Sequence, residues 1–181
     1  MVDGRRGTLL ALSLWLVVAP CATPARADAT REYQLKAAFI HHFAQFIEWP
    51  AGTFSDEKTP IILATLGTDP FDGELDRVVA GKTIGGRRVV VKHFPRAAEV
   101  QQCQLLFVGS ASDEQLPPAL QKLGPAGVLT VGETDRFVDS GGIIRFYQED
   151  NRVRFEINQE AAARARLRIS AKLLRLAKPH T

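Results

Sequence analysis

The chain has 181 residues, of which 45% are hydrophobic and 24% are charged. The first 27 residues hold three of its 23 basic groups and one of its 20 acidic groups, which leaves 20 basic and 19 acidic groups in the remainder. Such a balance lacks the excess positive charge that nucleic-acid binding requires, so that class of function is excluded. About 154 residues suffice for one domain with an ordinary hydrophobic core.

Residues 1–27 have the organisation of a secretory signal peptide. A short basic segment precedes an apolar run over residues 8–19, and Ala25-Arg26-Ala27 places small residues at the two positions that signal peptidase recognises. The apolar run is about half of the ~20 residues that cross a bilayer, so a membrane anchor is the weaker interpretation. We therefore expect cleavage before Asp28, export to the periplasm and a single α/β domain over residues 28–181.

The exported domain contains one cysteine, because Cys21 lies in the predicted signal peptide and leaves Cys103 alone. A single cysteine cannot form a disulfide within the chain, so packing must stabilise the domain. Cys103 stands at the head of the apolar run Leu105–Val108. This position favours a buried, inert thiol over an intermolecular bridge.

Taken in order, the exported domain begins with a long helix predicted over Arg31–Glu48. Thr30 is the predicted N-cap, and Trp49-Pro50 ends the helix because the residue before a proline avoids helical torsions. Helical spacing divides the side chains into a buried and a hydrated set. The buried set is Leu35, Phe39, Ile40, Phe43, Phe46 and Ile47, and the hydrated set is Gln34, His41, Gln45 and Glu48.

Four apolar runs bounded by turn residues predict the strands of a central sheet. They are Pro60–Leu66, Arg88–Phe94, Leu105–Val108 and Gly127–Val131, and helical segments are predicted from Asp69-Pro70 to Ala80, over Asp113–Leu123, and in a turn through Val138. Strands that alternate with helices at this spacing form a largely parallel sheet covered on both faces. The predicted fold class is therefore α/β, a three-layer sandwich.

The C-terminal quarter predicts an antiparallel hairpin at the edge of that sheet. Its strands are Ile143–Tyr147 and Arg152–Ile157, joined by four or five residues. Two polar residues then stand at N-cap positions. Asn158 precedes the helix Gln159–Arg164, a brief extended stretch follows, and Ser170 precedes a last helix whose Leu173, Leu174 and Leu176 are predicted to face inward.

The ends of the predicted parallel strands indicate a candidate ligand crevice, since ligands of open α/β sheets lie beyond the carboxyl ends of the strands. The residues there are small or polar and offer backbone N–H groups at helix starts. An alternative interpretation is that glycines and cap residues merely make the turns. The candidate crevice residues are Gly67, Thr68, Asp69, Gly109, Ser110, Gly132, Glu133 and Thr134.

The sequence predicts no catalytic residues, no metal and no cofactor. It contains no GxSxG, HExxH, GxGxxG or GxxxxGK[ST] pattern. The adjacent His41 and His42 point about 100° apart on a helix and cannot both bind one ion, so a hydrated or capping role is favoured. His93 is isolated in the sequence. We therefore expect a protein that acts by binding rather than by catalysis.

A series of specific sequence blocks runs through residues 32–177. They read EYQLKAAFIHHFAQFIEWP (32–50), GTDPF (67–71), CQLLFVGS (103–110), VLTVGETDRF (128–137) and GGIIRFYQEDNRVRFEIN (141–158), followed by LRISAKLLRLA (167–177). These blocks resemble the YfiR family of small exported proteins of Gram-negative bacteria. The resemblance covers most of the predicted domain.

The resemblance implies a non-enzymatic periplasmic repressor. It would bind the periplasmic sensor domain of an inner-membrane diguanylate cyclase, hold cyclic-di-GMP synthesis off, and be released when an outer-membrane lipoprotein sequesters it. The resemblance also implies a homodimer. The alternative function is a small-molecule sensing module that acts on a sensor kinase or another membrane partner.

A basic C-terminal surface is the candidate partner contact. Residues 152–181 hold eight basic and two acidic groups, and protein interfaces are enriched in arginine beside apolar anchors. A merely hydrated basic face is the alternative interpretation. The candidate partner-binding residues are Arg154, Arg168, Lys172 and Arg175.

Overall fold

The computed structural model describes residues 24–124 and 127–180, so most of the predicted signal peptide lies outside the described residues. The α-helices are α1 (Pro24–Gln45), α2 (Glu74–Val79), α3 (Leu116–Leu123), α4 (Gln159–Arg164) and α5 (Ala171–Leu174), with 3₁₀ turns at Ala97–Glu99 and Ser110–Gln115. The strands are β1 (Ile47–Glu48), β2 (Ile61–Leu66), β3 (Thr83–Ile84), β4 (Arg87–Phe94), β5 (Leu105–Val108), β6 (Leu129–Gly132), β7 (Ile144–Glu149), β8 (Arg152–Ile157), β9 (Arg168–Ile169) and β10 (Lys178–Pro179).

The central sheet has eight strands in the order β10-β8-β7-β6-β5-β2-β4-β3. Strands β4, β2, β5, β6 and β7 pair in parallel, whereas β7 and β8 form the antiparallel hairpin near one edge. Separate apolar cores lie on the two faces of this sheet. The predicted α/β three-layer sandwich, with a largely parallel sheet and an antiparallel C-terminal hairpin, is confirmed.

Helix α1 covers one sheet face through large aromatic residues. The Phe43 ring lies 5.5 Å from that of Phe146 in β7 and 4.9 Å from that of Phe155 in β8. Phe43 is fully buried, and pairs of this kind contribute about 1 kcal/mol beyond the area that they bury. The other face is covered by α3 and the 3₁₀ turns, whose apolar side chains pack over β2, β5 and β6.

The predicted boundaries and hydrated side of α1 are partly wrong. The helix begins before Thr30, which therefore does not cap it, and ends at Gln45 because Ile47 and Glu48 leave to pair with β9. His41, predicted to be hydrated, is 6% exposed, whereas Leu35, predicted to be buried, is 45% exposed. The burial of His41 has a tertiary cause, since α2 packs against α1 on a side that helical spacing alone assigns to water.

The helix after β2 also starts later than predicted. Asp69 does not cap it but accepts a hydrogen bond from the N–H of Phe71 at 3.1 Å, which closes a local turn. Helix α2 then begins at Glu74, with Gly73 as its N-cap at φ +76°. Similarly, the helix predicted from Asp113 opens as a 3₁₀ turn and becomes α-helical only at α3.

The hairpin connection is shorter than predicted. Glu149 pairs with Arg152, so only Asp150 and Asn151 form the loop. Both have positive φ, +51° and +56°, as a two-residue turn of the type I′ kind requires. Asn and Asp tolerate this left-handed conformation better than other residues with a Cβ. This explains why a loop of two residues can connect β7 and β8, where the sequence pattern indicated four or five.

The C-terminal caps are confirmed. The side chain of Asn158 accepts from the N–H of Ala161 at 2.9 Å, and that of Ser170 accepts from the N–H of Leu173 at 3.3 Å. The inward orientation of the last helix is only partly right, because Leu173 is buried but Leu176 is 66% exposed. Helix α5 ends at residue 174, so Leu176 leaves its buried stripe.

Cys103 is a free, buried thiol just before β5. Burial raises its pKa to about 12, so the reactive thiolate is scarce at neutral pH. The predicted burial of Cys103 is confirmed, and its inertness stays a prediction.

Candidate functional site

The predicted crevice residues come together at the carboxyl ends of the parallel strands. In the parallel register Leu66 lies beside Val108, and Val108 lies beside Gly132, so the three turns that follow are neighbours. Their approach is close at Gly67, where an added Cβ would lie 1.7 Å from the hydroxyl oxygen of Ser112. Gly67 also has φ +81°, so glycine is required there on both grounds.

Glu133 lies at the centre of these strand ends. Its Oε1 accepts from the backbone N–H of Ser110 at 3.0 Å and from the hydroxyl of Tyr33 at 3.0 Å, and its Oε2 lies 2.6 Å from Nζ of Lys36. Lys36 also lies 2.5 Å from Glu32 on the preceding turn of α1. The side chains of Lys36 and Glu133 are only 6% and 8% exposed. We name Glu32, Tyr33, Lys36 and Glu133 the carboxylate–lysine cluster.

The carboxylate–lysine cluster connects α1 to the carboxyl end of β6. Burial, followed by the negative charge of Glu133, raises the pKa of Tyr33, so its hydroxyl stays protonated and donates to the carboxylate. The Ser110 N–H is already occupied by Glu133. Side chains of α1 therefore fill the central part of the predicted crevice, and a ligand there would have to compete with internal hydrogen bonds.

The remaining crevice residues lie around the carboxylate–lysine cluster. An added Cβ at Gly109 would lie 3.8 Å from Glu133 Oε1, whereas at Gly132 it would overlap the ring of Phe137 at 2.2 Å. The hydroxyl of Thr134 is buried without a hydrogen-bond partner among the described residues. Thr68 and Asp69 belong to the turn after β2. Ligand binding at these strand ends stays a prediction.

His93 has neighbours that the sequence did not reveal. Its Nδ1 lies 2.8 Å from Oγ1 of Thr65, and its ring nitrogens lie 3.7 Å from Asp69 and 3.5 Å from Asp76. Parallel pairing of β2 with β4 places Thr65 beside His93, and no local pattern announces that register. Thr65 is fully buried, so this geometry does not present a nucleophile.

Two cavities lie at the opposite, amino end of the strands. A cavity of about 630 Å³ is bounded by the Pro50–Thr53 turn, the segment before β5 and the side chains of Lys122 and Arg166. A second cavity, of about 480 Å³, lies between α3 and α4 and is lined by Leu120, Ile143 and Ala161. Sequence reasoning placed the ligand site at the carboxyl end and missed both, because they form where segments distant in the chain meet.

The four candidate partner-binding residues are divided between the two sides of the sheet. Arg154 lies opposite Tyr147 on the sheet face away from α1. Arg168 lies 3.7 Å from Glu48 across β1 and β9, and Lys172 lies 5.3 Å from the ring of Phe46, both on the α1 side. Arg175 is exposed at the end of α5. These residues therefore do not form one patch.

The model of the YfiR/HmsC-like family matches residues 33–178. The chain belongs to this family. The match includes α1 from Tyr33 onward and continues through β10, and thus contains the carboxylate–lysine cluster except for Glu32. No curated protein matches the chain.

A solved structure of a conserved domain protein from Vibrio cholerae O1 biovar El Tor is similar in fold. Its TM-score with this family member is 0.50 at 13% sequence identity. The likeness covers 82% of this chain but 60% of that one, so this chain spans less than two thirds of that protein's length. At this identity the likeness concerns the fold alone.

Within residues 24–124 and 127–180, no helix is long and apolar enough to cross a membrane. Across the same residues, no three or more His, Cys, Asp or Glu side chains are grouped so that they would hold a metal ion.

Proposed function

We propose that this protein is a non-enzymatic periplasmic regulator that binds the periplasmic sensor domain of an inner-membrane diguanylate cyclase and represses it. The observation that carries the proposal is membership of the YfiR/HmsC-like family over residues 33–178. The predicted signal peptide supports export to the periplasm, where such a sensor domain is accessible. Homodimer formation and release by an outer-membrane lipoprotein are part of the same proposal.

Repression of this kind depends on differential binding. The regulator must bind the inactive conformation of the sensor domain more tightly than the active one, and it shifts the equilibrium by no more than that difference. A shift from mostly active to mostly inactive cyclase requires about 10⁴-fold preference for the inactive form. A well-packed interface with arginine and aromatic anchors provides differences of this size.

The proposal is tested by deleting the gene and measuring cyclic-di-GMP in the cell. Deletion should raise the cyclic-di-GMP level, and a plasmid that encodes the exported protein should restore the wild-type level. A version without residues 1–27, confined to the cytoplasm, should not restore it. An unchanged cyclic-di-GMP level in the deletion strain would contradict the proposal.

A second candidate is a small-molecule sensing module that acts on a sensor kinase or another membrane partner. The observation that favours it is the cavity of about 630 Å³ beside Lys122 and Arg166, which suits a small anionic molecule. A ligand that binds the folded state raises the unfolding temperature. A thermal-shift screen of amino acids and nucleotides, repeated with Arg166→Ala, tests this candidate directly.

A further inference from the structure

The outer edge of β8 is only partly paired. Strand β10 pairs with Glu156 and Ile157 alone, through Lys178 and Pro179. The first four residues of β8, 152–155, have no strand on their outer side in the part of the chain that the structure describes. Unpaired edges of this kind accept extended segments of other proteins.

The register of the hairpin identifies which main-chain groups face outward. Glu149 and Arg152 flank the two-residue turn, and the N–H of Asn158 donates to the carbonyl of Ile143 at 2.8 Å. Even-numbered residues of β8 therefore exchange hydrogen bonds with β7. Odd-numbered residues point their main-chain groups outward, as the bond from His180 N–H to the Ile157 carbonyl confirms. Val153 thus offers its N–H and carbonyl to a further strand.

The side chains along this edge differ between the two sheet faces. On the α1 side, Val153 is half-buried and Leu35 is 45% exposed, one helical turn before Phe39, which packs against Phe155. The opposite face of β7 and β8 carries Arg152, Arg154 and Tyr147. Within the described residues Arg152 has no ion-pair partner, and Arg154 has only Glu149 at 3.9 Å. The edge therefore combines apolar and cationic side chains on alternate faces.

We propose that the outer edge of β8 receives an extended segment of the sensor domain whose side chains alternate between carboxylates and apolar groups. This inference rests on the proposed function and specifies the partner's chemistry. Carboxylates would lie beside Arg152 and Arg154, and apolar groups would cover Val153 and Leu35. A second copy of this chain fits poorly, because antiparallel self-pairing about Val153 places Arg152 directly opposite Arg154, and like charges opposite each other destabilise a sheet.

The test uses the purified exported domain and the purified periplasmic sensor domains of the native organism's diguanylate cyclases, with affinity measured by calorimetry. Val153→Pro removes the outward N–H and leaves the ladder with β7 intact, whereas Val153→Ala keeps that N–H. Arg152→Glu with Arg154→Glu reverses the cations. Arg88→Glu with Arg96→Glu makes the same charge change at exposed sites on and just after β4, near the opposite edge of the sheet.

We expect Val153→Pro and the Arg152/Arg154 pair each to weaken binding about tenfold or more. Val153→Ala loses side-chain contact alone and should weaken binding less than Val153→Pro does, and Arg88→Glu with Arg96→Glu should bind like the wild type. Wild-type affinity in both test variants overturns the edge inference and leaves the proposed function standing. A wild-type domain that binds none of the sensor domains overturns both. Loss of dimers in Val153→Pro, measured by light scattering, would identify a second copy as the occupant and overturn the inference. Circular dichroism confirms that each variant is folded.

Discussion

At the scale of single residues, two buried charged side chains that are distant in the sequence hold α1 against the sheet. Lys36 lies on α1 and Glu133 follows β6, 97 positions away, yet their side chains meet at 2.6 Å. A buried charge that loses its partner is strongly destabilising, because its desolvation is no longer compensated. The carboxylate–lysine cluster therefore fixes α1 to the carboxyl end of the sheet.

Lys36→Met should lower the free energy of unfolding by about 3 kcal/mol, because it leaves Glu133 buried without its cation. Urea unfolding at neutral pH measures the change. Lys58→Met, at an exposed lysine, should shift stability by less than about 0.5 kcal/mol. A Lys36→Met protein as stable as this control would show that the ion pair contributes nothing.

His41 should make the stability of the protein depend on pH. Burial, followed by the nearby charges of Lys82 and His42, lowers the pKa of His41 from its ordinary value of 6.5. The folded state then binds this proton less readily than the unfolded chain, so stability falls as pH drops through 6.5 towards the lower folded pKa. The buried Nε2 has no hydrogen-bond partner among the described residues that would compensate an added proton.

Urea unfolding at about pH 7.5 and about pH 5.5 tests the role of His41. The wild type should lose more free energy of unfolding between these conditions than His41→Gln does, because glutamine does not titrate. His42→Gln removes only the smallest of the three causes that lower the pKa of His41, so it should retain more of the pH dependence than His41→Gln does. Identical pH dependence in the wild type and His41→Gln would refute this assignment.

At the scale of elements, the hairpin is set by a turn of two residues with positive φ. Asp150 and Asn151 adopt this conformation at some cost, since every residue with a Cβ is disfavoured there. The short turn also fixes the register, and hence places Val153 with its main chain towards the outer edge.

Asn151→Gly should raise the free energy of unfolding by about 0.5 kcal/mol, because glycine adopts positive φ without a steric penalty. Asn151→Val should lower it by about 1–2 kcal/mol, since a branched side chain is strongly disfavoured in this conformation. Thermal unfolding followed by circular dichroism distinguishes the two. The reverse order of stabilities would show that the turn is not of the type I′ kind in solution.

At the scale of the whole molecule, charge is distributed unevenly. Residues 152–181 hold eight basic and two acidic groups, whereas residues 28–151 hold 12 basic and 17 acidic groups. Clustered exposed charge accelerates the encounter with an oppositely charged partner and is screened by salt. Arg168 and Lys172 are well placed for this role, because both are exposed beside α1 rather than on the free edge of β8.

Arg168→Glu with Lys172→Glu should weaken binding of the sensor domain mainly by lowering the association rate, with the fold intact. Surface plasmon resonance at low and high salt measures this, and the difference from the wild type should shrink at high salt. The edge variants of β8 should instead raise the dissociation rate. An unchanged affinity would remove Arg168 and Lys172 from the interface.

Much of the fold followed from local patterns. Apolar runs predicted β2, β4, β5 and β6 to within about two residues, and period-2 alternation predicted β8. Side-chain caps at Asn158 and Ser170 act within three residues, so the sequence alone located them. The burial of His41 and the exposure of Leu35 were beyond such patterns, since both depend on which elements pack around α1.

By itself the sequence determined the order of the longer helices and strands, the sandwich that they form and the three strand ends that meet, because these follow from interactions over a few residues. It did not predict the two-residue strands β1, β3 and β10. Tertiary structure alone decided what lies at those strand ends. Parallel pairing places Glu133 beside Ser110, and the path of α1 brings Tyr33 and Lys36 onto it. Burial of charge is favourable only when distant partners meet, and no local pattern encodes that meeting.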